Sequence, residues 1–558
     1  MTRLGCSLAR FAFPASIPIA ALGLLMAVGA PIGAADPQAP AFPAGVDIVR
    51  IDAVVLDRGG RPVRGLTAAD FEVLENGRRR DIASFERIDV RTQPSPGPGT
   101  PTTPEAESAP RILLPEEGRA VLVYFDDIHV QAENASRVRT ALAPFLSREL
   151  RSGDAITIMA PQKGLWWTAR TDWEHAQLPS VVEGLRGQYV PDPFGEHVSD
   201  WEVMRQIEYG DVKVPNTPGV GLNEVGLESS RGVSLPGIAR SVRLQERYGL
   251  ALLRIRRSLN GLQRAVESLA GFRGRKSVVV YSEGFILSPA LPEYGRVIDL
   301  CRRANVALYV MDLRGLRTGS VPSAADATEL RAETVLPGTR YAAESGGSTY
   351  IALATGGAAY EGNDVNEALA RVLGESTGYY LIGFEPAAGP AGERKLQVRV
   401  RGKGLRVRAR NRYFAGDTPD MLGDTALVRA VRELSDRAEV PIRVATVAGE
   451  GRDIVELRLS LEPVQPARER TLTLLVEARP LAGGEKVHDG ANLTVPPASR
   501  ALDVTRELRL APGVWQARVV VTDTDTGAIG SALHTFEVRT RTASSLGRAG
   551  EEATIGGR

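Results

Sequence analysis

Between Gly118 and Pro386, short apolar runs alternate with helical patterns, and that alternation constrains the fold more than any other feature. The runs are "RAVLVYF", "DAITIMA", "GLWWTA", "KSVVVYS", "VALYVMD" and "GYYLIGF". Between them lie amphipathic stretches such as "SRVRTALAPFLSREL" and "QERYGLALLRIRRSLNGLQRAVESLA". Parallel strands need a long crossover, usually a helix, so this alternation predicts an α/β unit over residues 118–386 with a mostly parallel sheet and helices on both faces. Ligands of such sheets sit beyond the carboxyl ends of the strands. Asp126 and Asp127 fall at one such end, His129 follows two residues later, and Glu283 falls at another. Residues 188–240 break the pattern with Gly, Pro and polar residues, and read as a long irregular insertion in which Trp201, Met204 and Tyr209 offer docking points.

The flanks read as β structure. Residues 46–90 alternate apolar and polar side chains and carry a hairpin signal at Asn76–Gly77. A unit of this size is too small to bury a core alone. The strands of 394–414, inside a β stretch spanning 387–414, alternate in the same way and also lack a partner sheet, so the two segments are expected to pair. Residues 91–117 are dominated at their start by Pro, Ser, Thr and Gly and read as a disordered linker. A helical spacer is expected over 415–436. Short alternating strands over 437–541 then predict an immunoglobulin- or fibronectin-like β-sandwich. The tail 542–558 reads as disordered.

Residues 1–35 have the form of a secretory signal peptide: Arg3 and Arg10, an apolar stretch over 11–29, and small residues at Gly33–Ala35. The alternative is a retained membrane anchor, against which Pro14 and Pro18 argue. No later segment approaches the length of a spanning helix. A secreted or periplasmic location is expected. Removal of the signal takes Cys6 away and leaves Cys301, so no intramolecular disulfide can form. Cys301 sits where a helical pattern meets a strand and reads as a small buried hydrophobe. The formal net charge of the 558 residues is +1, and the arginines are dispersed, which gives no electrostatic reason to bind nucleic acid.

Five segments in order resemble the von Willebrand factor A-related secreted proteins first recognised as abundant in acidobacteria. They are "VDIVRIDAVVLDRGGRPVRGLTAADFEVLENGRRRDIASF", "RAVLVYFD", "LRSGDAITIMA", "GRKSVVVYSEGF", and "LATGGAAYEGNDVNEALARVLGESTGYYLIGFEP" with the "LQVRVRGKGLRVRARNRYF" that follows. The resemblance spans about residues 46–414. It implies a Rossmann-like A-domain that binds proteins or matrix through a metal at the top of its sheet and is not an enzyme.

In A-domains with an intact metal site, Asp-x-Ser-x-Ser follows the first strand, and a threonine and an aspartate come from later loops. Magnesium favours about six hard oxygen ligands in an octahedron. Here Asp126 takes the first aspartate position, but Ile128 and Val130 replace the serines. With the frame shifted by one, Asp127 is followed by His129 and Gln131. Ser282–Glu283 stands where the later aspartate belongs, and Thr168 and Thr171 are candidates for the threonine by proximity alone. Three arrangements are open: a degenerate site without metal, a weak Mg²⁺ or Ca²⁺ site on Asp126, Asp127 and Glu283, and a transition-metal site that recruits His129. A structural role is also open, in which Asp126 or Asp127 accepts backbone N–H bonds from the start of the following helix.

Enzyme motifs are not matched. "FDDIHV" has Ile128 where a phosphotransferase needs a second aspartate, there is no Gly-x-Ser-x-Gly, and none of the five histidines forms His-Glu-x-x-His. "ATGGAA" at Ala354–Ala359 lacks dinucleotide-loop spacing and reads as the turn ending a helix. The expected function is protein or envelope/matrix binding through the face formed by Asp126, Asp127, His129 and Glu283. The rivals are a structural envelope component that binds through its β modules and a divergent metal-dependent hydrolase using the same carboxylates.

Overall fold

The N-terminal block forms strands β1 (Val49–Leu56), β2 (Phe71–Glu75), β3 (Arg78–Arg80) and β4 (Ile82–Asp89). The computed structural model describes residues 48–89, 119–151, 154–190, 199–209, 237–272, 276–315, 344–390, 392–415, 426–449, 453–462 and 468–539. The expected signal peptide, the linker 91–117 (its residues 91–117 entirely), the tail 542–558 and much of the insertion lie outside these residues.

The central stretch contains β5 (Ala120–Phe125), α1 (Ala132–Glu149), β6 (Ala155–Ala160), β7 (Leu165–Ala169), α2 (Asp172–Glu183), α3 (Asp200–Tyr209), α4 (Gly237–Ser268), β8 (Lys276–Ser282), α5 (Glu293–Ala304), β9 (Val306–Asp312), α6 (Gly346–Ala354), β10 (Ala359–Glu361) and α7 (Glu367–Glu375). One six-stranded sheet runs in the order β10-β9-β8-β5-β6-β7. Its pairings are parallel except at the edge, where β7 runs antiparallel to β6. β5 alternates between two apolar clusters. Val121, Val123 and Phe125 pack with Val138 and Leu142 of α1, while Leu122 and Tyr124 pack with Ile255 and Leu259 of α4. That alternation fixes β5 in register and brings its carboxyl end, with Asp126, to the top edge of the sheet.

The chain continues through β11 (Gly378–Phe384), β12 (Gly392–Val400), β13 (Arg406–Arg408) and β14 (Arg412–Ala415). These return to the N-terminal strands. One antiparallel sheet has the order β13-β1-β11-β4 and the other β14-β12-β2-β3. Ile51, Phe71, Val73, Tyr380, Phe384, Leu396 and Tyr413 form the core between them. Glu75 is buried there, and its carboxylate accepts hydrogen bonds from Arg394 Nη1 at 2.8 Å, Arg80 Nε at 2.6 Å, the Ala387 amide at 3.0 Å and the Tyr413 hydroxyl.

After α8 (Ala426–Arg432) come β15 (Ile442–Ala448), β16 (Ile454–Leu461), β17 (Arg470–Pro480), β18 (Val487–Val495), β19 (Leu502–Arg509), β20 (Gly513–Asp523) and β21 (Ile529–Val538). Two antiparallel sheets, β15-β16-β19 and β18-β17-β20-β21, share one apolar core that includes Leu457, Leu474, Trp515 and Val519. This sandwich rests on the edge strand β7. Gln516 accepts from the Thr168 amide at 3.1 Å and donates to its carbonyl at 2.7 Å, and the Arg479 guanidinium lies 4.5 Å from the Trp166 ring centre.

The expected fold class, an α/β body with a mostly parallel sheet covered by helices on both faces, is corrected: the described chain is predominantly antiparallel β. Four of its five sheets are antiparallel throughout, and parallel pairing is confined to one mixed sheet. Two runs assigned to the parallel sheet explain the difference. "GLWWTA" is the antiparallel edge strand β7, and "GYYLIGF" is β11, which pairs with β1 and β4 instead. A strand buried on both faces reads as a continuous apolar run in either setting. Its place in the central sheet is taken by β10, which follows the "ATGG" turn. Gly356 there has φ +82°, and a Cβ on Gly357 would stand 1.8 Å from the Leu308 carbonyl oxygen. Within the expected insertion, α3 buries Val203 and Met204. Cys301 is fully buried, and burial pushes its thiol pKa upward.

Candidate functional site

Asp126 follows β5 at the top of the six-stranded sheet, where its amide still bonds to the Tyr281 carbonyl of β8 at 2.9 Å. Asp127 and His129 lie in the tight turn that follows, closed by the His129 amide on the Asp126 carbonyl at 3.0 Å. Glu283 comes from the loop after β8. All four side chains are almost completely buried.

The three carboxylates face different partners. Asp126 Oδ2 meets His129 Nδ1 at 3.0 Å and accepts the Ser282 hydroxyl at 2.8 Å. Its Oδ1 is buried without a hydrogen-bond partner; Ser258 on α4 faces the same carboxylate without closing a well-formed bond. Burial raises the Asp126 pKa, but the attraction of His129 and the hydroxyls outweighs it and holds the group below the usual carboxylate range. Asp127 turns the other way. Its two oxygens accept the Gln162 amide at 3.1 Å and the Lys163 amide at 2.9 Å in the β6–β7 turn. Burial, opposed by those amides, pushes its pKa up to about 6. Glu283 accepts the Gln131 amide and side chain, each at 2.6 Å, and the Asn134 side chain at 2.9 Å. It therefore fastens the first turn of α1.

The expected structural role of the pair is thus redistributed. Neither aspartate receives backbone N–H groups from α1; Asp127 receives them from the β6–β7 turn, and Glu283 takes the place at the helix start. Thr168 bonds to Thr157 within the sheet at 3.0 Å, and Thr171 caps α2 by accepting the Glu174 amide at 3.2 Å. Ile128 and Val130 are buried apolar side chains. Among the described residues, no group of three or more His, Cys, Asp or Glu side chains is placed to hold a metal ion. As placed, the residues do not fit the oxygen shell of Mg²⁺ or Ca²⁺: Asp126 turns to His129 and Ser282, Asp127 to the β6–β7 turn and Glu283 to the start of α1, while Ile128 and Val130 supply no oxygen.

Aromatic groups complete the surroundings. The His129 ring lies 5.6 Å from the Phe285 ring and 6.3 Å from that of Tyr189. Tyr189 in turn bonds to Asp200 of α3 at 3.4 Å and lies under Arg254 at 5.5 Å. Next to these residues stand two exposed apolar side chains, Val190 at 57 % and Leu287 at 42 % exposure. The sequence reading missed Ser258, Gln131, Asn134, Tyr189 and Phe285. Of these, Gln131 and Asn134 carried a usable signal, as polar residues at a helix start.

No family model and no curated protein matches the sequence. Several solved structures are similar to parts of the chain. The X-ray structure of Northeast Structural Genomics Consortium target SoR45 shares 16 % identity over 19 % of this chain and 88 % of that one, with a TM-score of 0.15. The E. coli curli protein CsgC shares 15 % identity over 17 % of this chain and 96 % of its own, with a TM-score of 0.13. A Bacteroides uniformis β-glucuronidase shares 11 % identity over 30 % of this chain, which spans only 20 % of the enzyme, with a TM-score of 0.15. Likenesses of this extent carry no argument about function. Among the described residues no helix is long and apolar enough to cross a membrane, a statement that does not bear on β-barrels.

Proposed function

We propose that this chain is an exported binding protein, not an enzyme, that captures a protein or envelope component through the loops at the top of the six-stranded sheet, without a resident metal. One observation carries the proposal: the carboxylates at that edge are engaged internally, each holding a loop or helix start in place. Asp127 fixes the β6–β7 turn, Glu283 fixes the start of α1, and Asp126 fixes the His129 turn against Ser282. Loops held in this way present a pre-formed surface, which lowers the ordering cost of association. Val190 and Leu287 supply exposed apolar contacts on that surface. The resemblance of five segments to von Willebrand factor A-related secreted proteins supports the same reading, as does the signal-like N-terminus.

The test is capture of partners from cell-envelope extract by the full chain, with and without a chelator. The expected result is capture that persists in chelator and drops at least tenfold in a Val190→Asp, Leu287→Asp double variant. Capture abolished by chelator, or unchanged in the double variant, would overturn the proposal. The first outcome would favour a metal-dependent site on the same carboxylates, and the second the rival in which the β modules make the contacts.

A further inference from the structure

A cavity of about 20 Å³ lies at the seam between the N-terminal sandwich and the lower edge of the six-stranded sheet, opposite the top loops. Its walls include Asp52 on β1, Lys276 at the start of β8, Arg302 and Asn305 at the end of α5, Thr355 after α6, and Arg410 between β13 and β14. Room of this size holds one water molecule or one small ion.

The charges lining it do not balance. Arg302 is answered outside the cavity by Glu393 and, at 3.6 Å, by Asp299. Lys276 and Arg410 share one lining carboxylate, Asp52, which Asn305 also contacts. Lys276 Nζ donates to the Ala270 carbonyl at 3.1 Å. Arg410 donates from Nη1 to the Arg302 carbonyl at 3.2 Å and from Nη2 to the Arg50 carbonyl, while its Nε–H is buried with no acceptor among the described residues. Two cations facing one carboxylate leave a surplus positive charge and an open donor in a partly enclosed space, an arrangement that favours a counter-ion. Burial pushes the Lys276 ammonium down to about 8 against the pull of Asp52, the direction expected when its charge is under-compensated.

We propose that this cavity binds one small monovalent anion of the halide class, held between Lys276 Nζ and Arg410 Nε–H. The surplus of a single charge sets the valence, and the room sets the size. The ion ties the central sheet, through Lys276, to the N-terminal sandwich, through Arg410. The site is independent of the top surface and of the binding function assigned to it.

Two measurements on the full chain test the site. Diffraction from crystals grown in bromide is expected to show an anomalous peak within hydrogen-bonding distance of Lys276 Nζ and Arg410 Nε. Thermal unfolding at constant ionic strength, with gluconate replaced stepwise by chloride, is expected to show a saturable rise in the midpoint. In Lys276→Met the half-saturating chloride concentration is expected to rise at least tenfold; if that variant does not fold, Arg410→Met takes its place. An empty or water-filled cavity in the bromide crystals would overturn the proposal. So would a chloride response that is equal in the unaltered chain and the variant, or that sulfate reproduces.

Discussion

Asp127 sits in its turn at a cost that depends on pH. Its carboxyl pKa stands at about 6 in the folded chain, against 3.8 for an unperturbed aspartate. Below about pH 4 both folded and unfolded chains hold the proton. Between about 4 and 6 the folded chain alone holds it, so its contribution to stability falls as pH rises through that window, by about 3 kcal/mol in all. Asp127→Asn is expected to flatten this part of the profile in denaturant titrations at pH 4 to 7, while losing one of the two turn amides. Glu75 behaves in the opposite sense. Burial raises its pKa, but Arg394, Tyr413, the Ala387 amide and Arg80 outweigh that effect and hold it at about 2. Its contribution is present above pH 4.5 and is lost as pH falls toward 2. Glu75→Gln leaves Arg394 and Arg80 facing a neutral group and should lower stability by about 3–5 kcal/mol at neutral pH, measured by chemical unfolding.

The elements differ in how far they can be read from sequence. The β2–β3 hairpin is written out at Asn76–Gly77, whose φ values of 49° and 80° are those of a tight primed turn. Gly77→Ala is expected to cost about 1–2 kcal/mol, because a side chain in the left-handed region meets its own backbone. β5, β8 and β9 are legible because long apolar runs end in polar turns. β11 is legible as a strand, but its sheet is not: Tyr380 and Ile382 face the sandwich core, Tyr379 packs with Val54 and Leu56, and no alternation remains to report a partner. β10 is three residues long and carries no periodicity. At the candidate site the backbone positions of Asp126 and Glu283 follow from the strand ends. The direction of each carboxylate does not, because it depends on donors far away in sequence, such as the Gln162 and Lys163 amides for Asp127. A close approach was hidden in the same way in "ATGGAA": Gly357→Ala should push β10 off β9 and cost roughly 1–3 kcal/mol, with faster amide exchange at Tyr360 as the local readout.

Across the whole molecule, the mixed sheet is braced on one edge by the C-terminal sandwich. Gln516 satisfies both backbone groups of Thr168 on β7, groups that would otherwise face no partner strand. Gln516→Ala is expected to cost about 1–3 kcal/mol by leaving those buried groups unpaired.

The N-terminal sandwich is closed by strands from distant parts of the chain. Val49 pairs with Phe384, and Phe71 with Val400, across the entire central region. A ribosome releases this chain from its N-terminus, so β1 and β2 emerge long before the strands that complete their sheets. Until residues 378–415 arrive, the alternating apolar faces of "VRIDAVVL" and "FEVLE" have open edges and no core to enter. The central sheet can form in that interval; the leader cannot. The strands of the N-terminal block are therefore among the last to fold, and a chain truncated before Gly378, which lacks both β11 and β12, would keep them exposed for as long as it lasted.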